Sequence, residues 1–292
     1  MPEEPDLGSP GACEFGTPLN LFMLIDLTIL ILSAAAIVVS VRFLLVPGIG
    51  RIGAALKFTS KVRGQMIGYA TSVPEFTVLT AGALNGVFNA GMWNIASSNI
   101  INWVLFLITV FVLRQQLDLK NRAFIDELIF GLLSIVIPLL MFALGISTGW
   151  VTALGLLLFF AFYKIMDARL NPTGKVAPLP PGAENGTVAG GLLLLIPGIA
   201  VILLAGRFLG SSAGALIKEL SVPAWAVGWI LGLVTSVCEL ASFIEIYRIH
   251  RPKDSPTHIK DTQEALDALV ASNIANLGLI LPLGMMIYLW VS

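Results

Sequence analysis

The chain has 292 residues, 57% of them hydrophobic and 12% charged, with a formal net charge of −1. Soluble domains carry about 25% charged residues, so this composition excludes an ordinary soluble enzyme and points to a membrane protein; basic and aromatic residues form no nucleic-acid patch. Two cysteines, Cys13 and Cys238, cannot make a disulfide framework, and no paired-cysteine or His-x-x-x-His spacing offers a soft-metal site.

The first 18 residues are acidic and have no basic n-region, so they read as a flexible tail and not a cleaved signal peptide. Eight apolar runs follow, at 19–46, 64–88, 92–113, 123–146, 149–166, 188–209, 223–247 and 264–290, each near the ~20 residues that span a bilayer. They are continuously apolar and long, which makes them helices and not alternating barrel strands. The expected layout is all-α: a first half of five spans over 19–166, a cytoplasmic linker over 167–187, and a second half of three spans over 188–292.

Lysine and arginine set the orientation. The loops after the first, third, fifth and seventh spans hold Arg51, Lys57, Lys61 and Arg63, then Arg114, Lys120 and Arg122, then Arg169 and Lys175, then Arg248, Arg251, Lys253 and Lys260. The opposite loops hold Lys218 alone. Positive charge marks the cytoplasmic side, so both termini are expected outside, in a multi-pass protein of a cell or inner membrane. The sequon Asn185-Gly-Thr187 then falls on the cytoplasmic side and is read as chance. His250 and His258 share one polar loop, HRPKDSPTHIKD (250–261), best read as a solvated connector.

The second span reads TSVPEF and the third NIASSNIINW; the seventh reads TSVCEL and the eighth LVASNIANLG. Thr71, Ser72 and Glu75 thus match Thr235, Ser236 and Glu239, while Ser98, Asn99 and Asn102 match Ser272, Asn273 and Asn276. These repeats cover 64–113 and 223–290, and an odd number of spans separates them, so they cross the membrane in opposite directions. Inverted repeats with sites near the midplane are a secondary-transporter architecture. Thr71 and Glu75 are four residues apart, as are Ser98 with Asn102 and Ser272 with Asn276, which puts each set of oxygens on one helix face. A carboxylate with hydroxyl and amide oxygens suits a hard cation such as Ca²⁺, which takes about six to eight oxygens.

Pro74 cannot donate to the carbonyl of Ala70, and a freed carbonyl at membrane depth needs another partner, which a cation can be. The matching Cys238 keeps its N–H, so Val234 retains its helical bond. A lone intramembrane glutamate can also be a structural hydrogen-bond partner, and small polar residues often glue helices together. Two glutamates, each within Thr-Ser-x-x-Glu, favour a site. Asp26 is expected at the interface, and Glu245 and Asp267 are expected to face water.

These residues resemble the calcium/cation antiporter superfamily and, within it, the sodium/calcium exchangers, whose inverted α-repeats read GTSxPE followed by GNxxGSNxxN. Here they stand as ATSVPE with WNIASSNIIN, and VTSVCE with ALVASNIAN. The resemblance implies an antiporter and not an enzyme, with Glu75 and Glu239 as central Ca²⁺ ligands. It implies that Thr71, Ser72, Thr235 and Ser236 flank sodium positions, that Ser98, Asn102, Ser272 and Asn276 line the remaining shell, and that the carbonyls of Ala70 and Val234 are backbone ligands. Transported Ca²⁺ and Na⁺ are expected, with no further cofactor. The GNxxE motif of the proton-coupled branch is missing, so sodium coupling is expected over Ca²⁺/H⁺ exchange. Asn276 replaces the aspartate of potassium-dependent members. The family has ten helices and this sequence eight spans, so a partner chain or homo-oligomer would replace two helices. The alternative is an accessory membrane subunit that keeps a degenerate exchanger fold. By the same resemblance, spans 1 and 6 would slide to alternate access; SAAA at 33–36, GG at 190–191 and Pro197-Gly198 would allow close packing there.

Overall fold

The computed structural model describes residues 21–170, 186–220, 223–249 and 259–292. The acidic tail expected over 1–18, most of the linker over 167–187, and the loop residues 250–258 lie outside the described residues.

The first span is an apolar rod made of α1 (Leu21–Ser40), a π turn (Val41–Leu45) and α2 (Val46–Ala55). Pro47 sits in the first turn of α2, where a missing N–H costs least. Thr59 then caps α3 (Ser60–Thr71) by accepting from the Val62 N–H. α4 is Val73–Leu84 and α5 is Phe88–Val112. Two short 3₁₀ turns lead into α6 (Ile125–Ala143), followed by α7 (Trp150–Leu170) and α8 (Val188–Leu220). α9 (Ala224–Ile249) is continuous, whereas the last span is α10 (Ile259–Ala275), a π turn (Asn276–Ile280) and α11 (Leu281–Val291). No strand occurs among the described residues.

Seven helical segments among the described residues are long and apolar enough to cross a membrane. The eighth expected span, 64–88, is instead the pair α3 and α4. Pro74 supplies the reason: it cannot continue the ladder to Ala70, and the Ser72 N–H turns back onto the carbonyls of Gly68 and Ala70. The chain passes through Ser72 at φ −81°, ψ −4° and restarts with Pro74 and Glu75 in the first turn of α4.

The bundle has a polar centre set within an apolar core, and its outer face is apolar. Val151 is 88% and Leu193 75% exposed, while Asn99, Asn102, Asn273 and Asn276 are fully buried. Apolar burial does not drive helices together in lipid; close packing and interhelical hydrogen bonds do. Glycines provide that closeness along two seams. α3 packs on α10 and α5 on α9. A Cβ at Gly68 would lie 2.2 Å from the Ala268 carbonyl oxygen, and one at Gly64 2.4 Å from that of Glu264. On the other seam, a Cβ at Gly232 would lie 2.1 Å from Ser97 Oγ, and one at Gly228 2.3 Å from the Trp93 Cβ. Residue numbers rise together along each seam, so both helix pairs are parallel.

The first rod packs along α8. Gly191 lies against Gly48 and Ile52, and Gly198 against Leu44 and Ser40, whose hydroxyl donates to the Gly198 carbonyl at 2.9 Å. The expected close packing of spans 1 and 6 is therefore present at 191 and 198.

Three expectations about charges need correcting. Lys61 and Arg63 were expected in a solvated loop but lie in α3, where Lys61 is paired with Asp167 and Glu127 and Arg63 with Glu264 at 2.6 Å. Asp267 was expected to face water but is 2% exposed. All three sit on the α3–α10 seam; for Lys61 and Arg63, partners 66 to 201 residues away in sequence supply the compensating charge, and Asp267 lies within reach of the Lys61 charge. Glu245, expected to face water, is partly exposed, 3.7 Å from Arg248.

Candidate cation-binding site

The ten side chains named from the sequence all reach the interior. Thr71, Ser72, Glu75, Ser98, Asn102, Thr235, Ser236, Glu239, Ser272 and Asn276 are each no more than 1% exposed. The two backbone candidates differ from them: Ala70 and Val234 are only partly buried. Ala70 sits at the α3 end, before the break, whereas Val234 lies within unbroken α9.

Each repeat reaches across to the other. Thr235 stands near Glu75, and Thr71 and Ser272 near Glu239, while the threonine hydroxyls donate along their own helices, Thr71 to the Ile67 and Gly68 carbonyls and Thr235 to that of Gly232. Asn102 Nδ2 donates to Asn273 Oδ1 at 3.0 Å, and Asn276 Nδ2 donates to Asn99 Oδ1 at 3.1 Å. Asn99 Nδ2 donates to the Asn273 carbonyl at 3.2 Å, and Asn273 Nδ2 to the Asn99 carbonyl at 2.9 Å. In every pair one number rises as its partner's falls, so the matched segments run antiparallel and exchange equivalent bonds.

Asn99 and Asn273 are the residues that the reading of ligands passed over. They form this clasp, with Asn99 also donating to the Ser134 carbonyl at 3.0 Å. Their signal was present in the sequence as the shared Ser-Asn pair. The glycines at 64, 68, 228 and 232 carried a signal too, a repeated small-x-x-x-small spacing of the kind that brings membrane helices close.

The two carboxylates are buried and feel each other's charge. Six oxygens of the candidate set are buried with no hydrogen-bond partner: both of Glu75, Oε2 of Glu239, Oγ of Ser236, and Oδ1 of Asn102 and Asn276. Leaving a buried polar atom unpaired costs about 1–3 kcal/mol, more if it is charged. Six such atoms from four helical segments, tied together by the asparagine clasp, are a donor set for a hard cation: all are oxygens and none is soft.

The halves are not equal. Ser272 Oγ donates to Glu239 Oε1 at 3.0 Å and shares a hydrogen bond with Ser72 Oγ at 2.9 Å, so Ser72, Ser272 and Glu239 form a linked chain. In the matching trio, Ser98 turns back to the Ile95 carbonyl of its own helix at 3.1 Å, and Ser236 Oγ and Glu75 remain without partners.

This arrangement defines the class: a multi-pass membrane transporter with a polar centre built from two matching segments. The chain belongs to the sodium/calcium exchanger protein family, a family of cation antiporters, which matches it over residues 26–166 and 190–291. Its fold resembles solved structures of the sodium-calcium exchanger NCX_Mj. One, soaked with 10 mM Na⁺ and zero Ca²⁺, gives a TM-score of 0.56 at 20% identity over 91% of this chain and 83% of that chain. Another, soaked with 2.5 mM Na⁺ and 10 mM Sr²⁺, gives 0.56 at 18% identity with the same coverage. At that identity the likeness speaks for the fold. No curated protein sequence matches the chain.

Proposed function

We propose that the chain exchanges Ca²⁺ for Na⁺ across the membrane by alternating access, with Glu75 and Glu239 as the central ligands. The observation that carries this reading is the set of six buried, unpartnered oxygens, the number a hard divalent cation begins to accept. Thr71, Ser72, Thr235, Ser236, Ser98, Asn102, Ser272 and Asn276 complete the shell in this reading, and the Ala70 carbonyl, which accepts the Ser72 N–H, has a second lone pair to offer at its edge. Val234 contributes less, because α9 continues past it.

Two carboxylates bring two negative charges, which one Ca²⁺ neutralises. Sodium ions bringing a third positive charge make exchange electrogenic, at about 2.3 kcal/mol per charge per 100 mV. The rod of α1 and α2, packed along α8, is the body that slides against the polar centre. Both termini face outward in this reading, as the lysine and arginine distribution implies.

The test is Ca²⁺ uptake into vesicles holding the purified chain, under an outward Na⁺ gradient or a matched proton gradient. Sodium-driven uptake that Glu75→Gln abolishes supports the reading, and uptake driven by protons alone replaces sodium with proton coupling. No uptake under either gradient turns the assignment to an accessory subunit and the search to a partner chain.

A further inference from the structure

A second polar cluster lies on the α3–α10 seam, apart from the site above. Along the parallel helices Lys61 lies eleven residues before Ser72 and Asp267 five before Ser272, about 17 Å and about 8 Å at 1.5 Å per residue. Four elements build it. α3 supplies Lys61 and Gln65, α6 Asp126 and Glu127, α7 Asp167, and α10 Asp267.

Asp126, Glu127 and Asp167 bring carboxylate oxygens within 4.8 Å of one another, a separation that one ion can bridge. Lys61 reaches into the group, pairing with Asp167 and, at 3.4 Å, with Glu127 Oε1. Gln65 Nε2 donates to Asp167 Oδ2 at 2.8 Å, and Lys164 stands 4.0 Å from that oxygen. Asp267 is the independent observation. It is 98% buried, its charge interacts with Lys61, Glu127 and Asp167, and its Oδ2 has no hydrogen-bond partner. Nearby Glu264 is held by Arg63 at 2.6 Å. With these groups ionised, four carboxylates then face Lys61 and Lys164, a formal excess of two negative charges.

Such an excess in a buried place is neutralised either by protons or by a divalent cation that displaces them. Hard ions of this type take carboxylate oxygens at adaptable coordination numbers, and Lys61 is a point charge on a flexible stem that can swing aside. We propose that this cluster is a second cation site, taking a hard divalent cation of the Ca²⁺ class through Asp126, Glu127 and Asp167, with Asp267 adding a buried acidic group beside them and Lys61 as the built-in charge the ion competes with. It lies at the end of the bundle nearest the α3 and α10 N-termini, on the same seam that leads to Ser72 and Ser272, where it stages ions for the central pair.

The experiment measures equilibrium ⁴⁵Ca²⁺ binding to the full chain in nanodiscs, in a Glu75→Gln/Glu239→Gln background that silences the central pair. That background keeps one bound Ca²⁺ per chain. Adding Asp267→Asn, which changes an oxygen that holds no hydrogen bond, weakens this binding at least tenfold. Adding Lys61→Met instead tightens it at least tenfold, a gain that a folding defect cannot imitate. The proposal stands only if both variants move in these opposite directions. Residual binding that is absent, or either variant within twofold of its parent, overturns it. If wild-type chain and the Glu75→Gln/Glu239→Gln background bind equal numbers of Ca²⁺, the central-pair reading fails while this one is still judged by its own two variants.

Discussion

The two matching segments use the same residue types but different backbones. In the first, Pro74 breaks the span at Ser72 and puts Glu75 in the opening turn of a new helix, with both carboxylate oxygens uncommitted. In the second, Cys238 keeps α9 continuous, and Glu239 has one oxygen engaged by Ser272, itself tied to Ser72. One half is closed by hydrogen bonds and the other is open. A near-symmetric pair of ligand arms thus becomes a site with one held and one free carboxylate, and the free one stands next to the break, where the backbone is easiest to bend.

The largest expected effect tests the carboxylates. Glu75→Gln and Glu239→Gln each lower Ca²⁺ uptake by at least a hundredfold. The empty protein responds differently to each: Glu75→Gln raises the melting temperature more, because it removes a buried carboxylate that no hydrogen bond holds. Equal shifts in a detergent melt would erase the distinction between held and free arms.

Next comes the backbone. Cys238→Pro imposes on α9 what Pro74 imposes on the first repeat, at a cost of about 3 kcal/mol in a helix interior. The reciprocal Pro74→Cys gives the Ala70 carbonyl a second donor, in line with the helix, raises the melting temperature and slows uptake. A Cys238→Pro protein that melts like wild type would mean that α9 is already poised to bend.

The seams give a smaller contrast. Gly68→Ala drives a methyl into the backbone oxygen of Ala268, whereas Gly232→Ala meets first the rotatable hydroxyl of Ser97. Overpacking costs about 1–3 kcal/mol and alanine returns about 1 kcal/mol of helix propensity. Both are therefore destabilising, Gly68→Ala the more so, since Gly232→Ala displaces the Ser97 hydroxyl from its bonds to the Asn94 and Gly228 carbonyls but strikes no backbone atom closer than 3.0 Å. Denaturant titration of the two variants side by side reads the difference.

The smallest effect falls on the serines. Ser72→Ala loses a shared hydrogen bond, worth about 0.6 kcal/mol on average in a membrane interior. Ser236→Ala deletes a hydroxyl with no partner, so stability holds or rises slightly. A larger loss at Ser236 than at Ser72 would reverse the assignment of open and closed halves.

Much of this site could be read from the chain because its residues are repeated and polar where neighbours are apolar. Thr71, Glu75, Ser98 and their counterparts stand out against their spans, and all prove to be buried. The inequality of the halves could not be read, since Ser98 and Ser272 have equivalent positions and differ only in which acceptor each finds. The break was half legible: Pro74 identifies the lost bond, but whether a helix bends or stops depends on what packs around it. Lys61, Arg63 and Asp267 were misread because counting charges in loops treats every lysine and arginine as solvated. Their partners, Asp167 and Glu264 among them, come from helices distant in the chain, and no local pattern announces such a pairing.

The π turn at Asn276–Ile280 has a consequence for chain length. A π turn is an α-helix carrying one extra residue, so α10 and α11 keep their facing only while that residue is there to be absorbed, or is removed with the turn itself. Taking one residue from 277–280 lets the turn relax to α and leaves Asn276 and Met285 facing inward as they do now; taking one from 266–271 swings everything beyond it by about 100°. Thermal melts of the two deletions separate the cases. Here the chain can change its length by one without changing its architecture, directly beside residues where a change of a single atom matters.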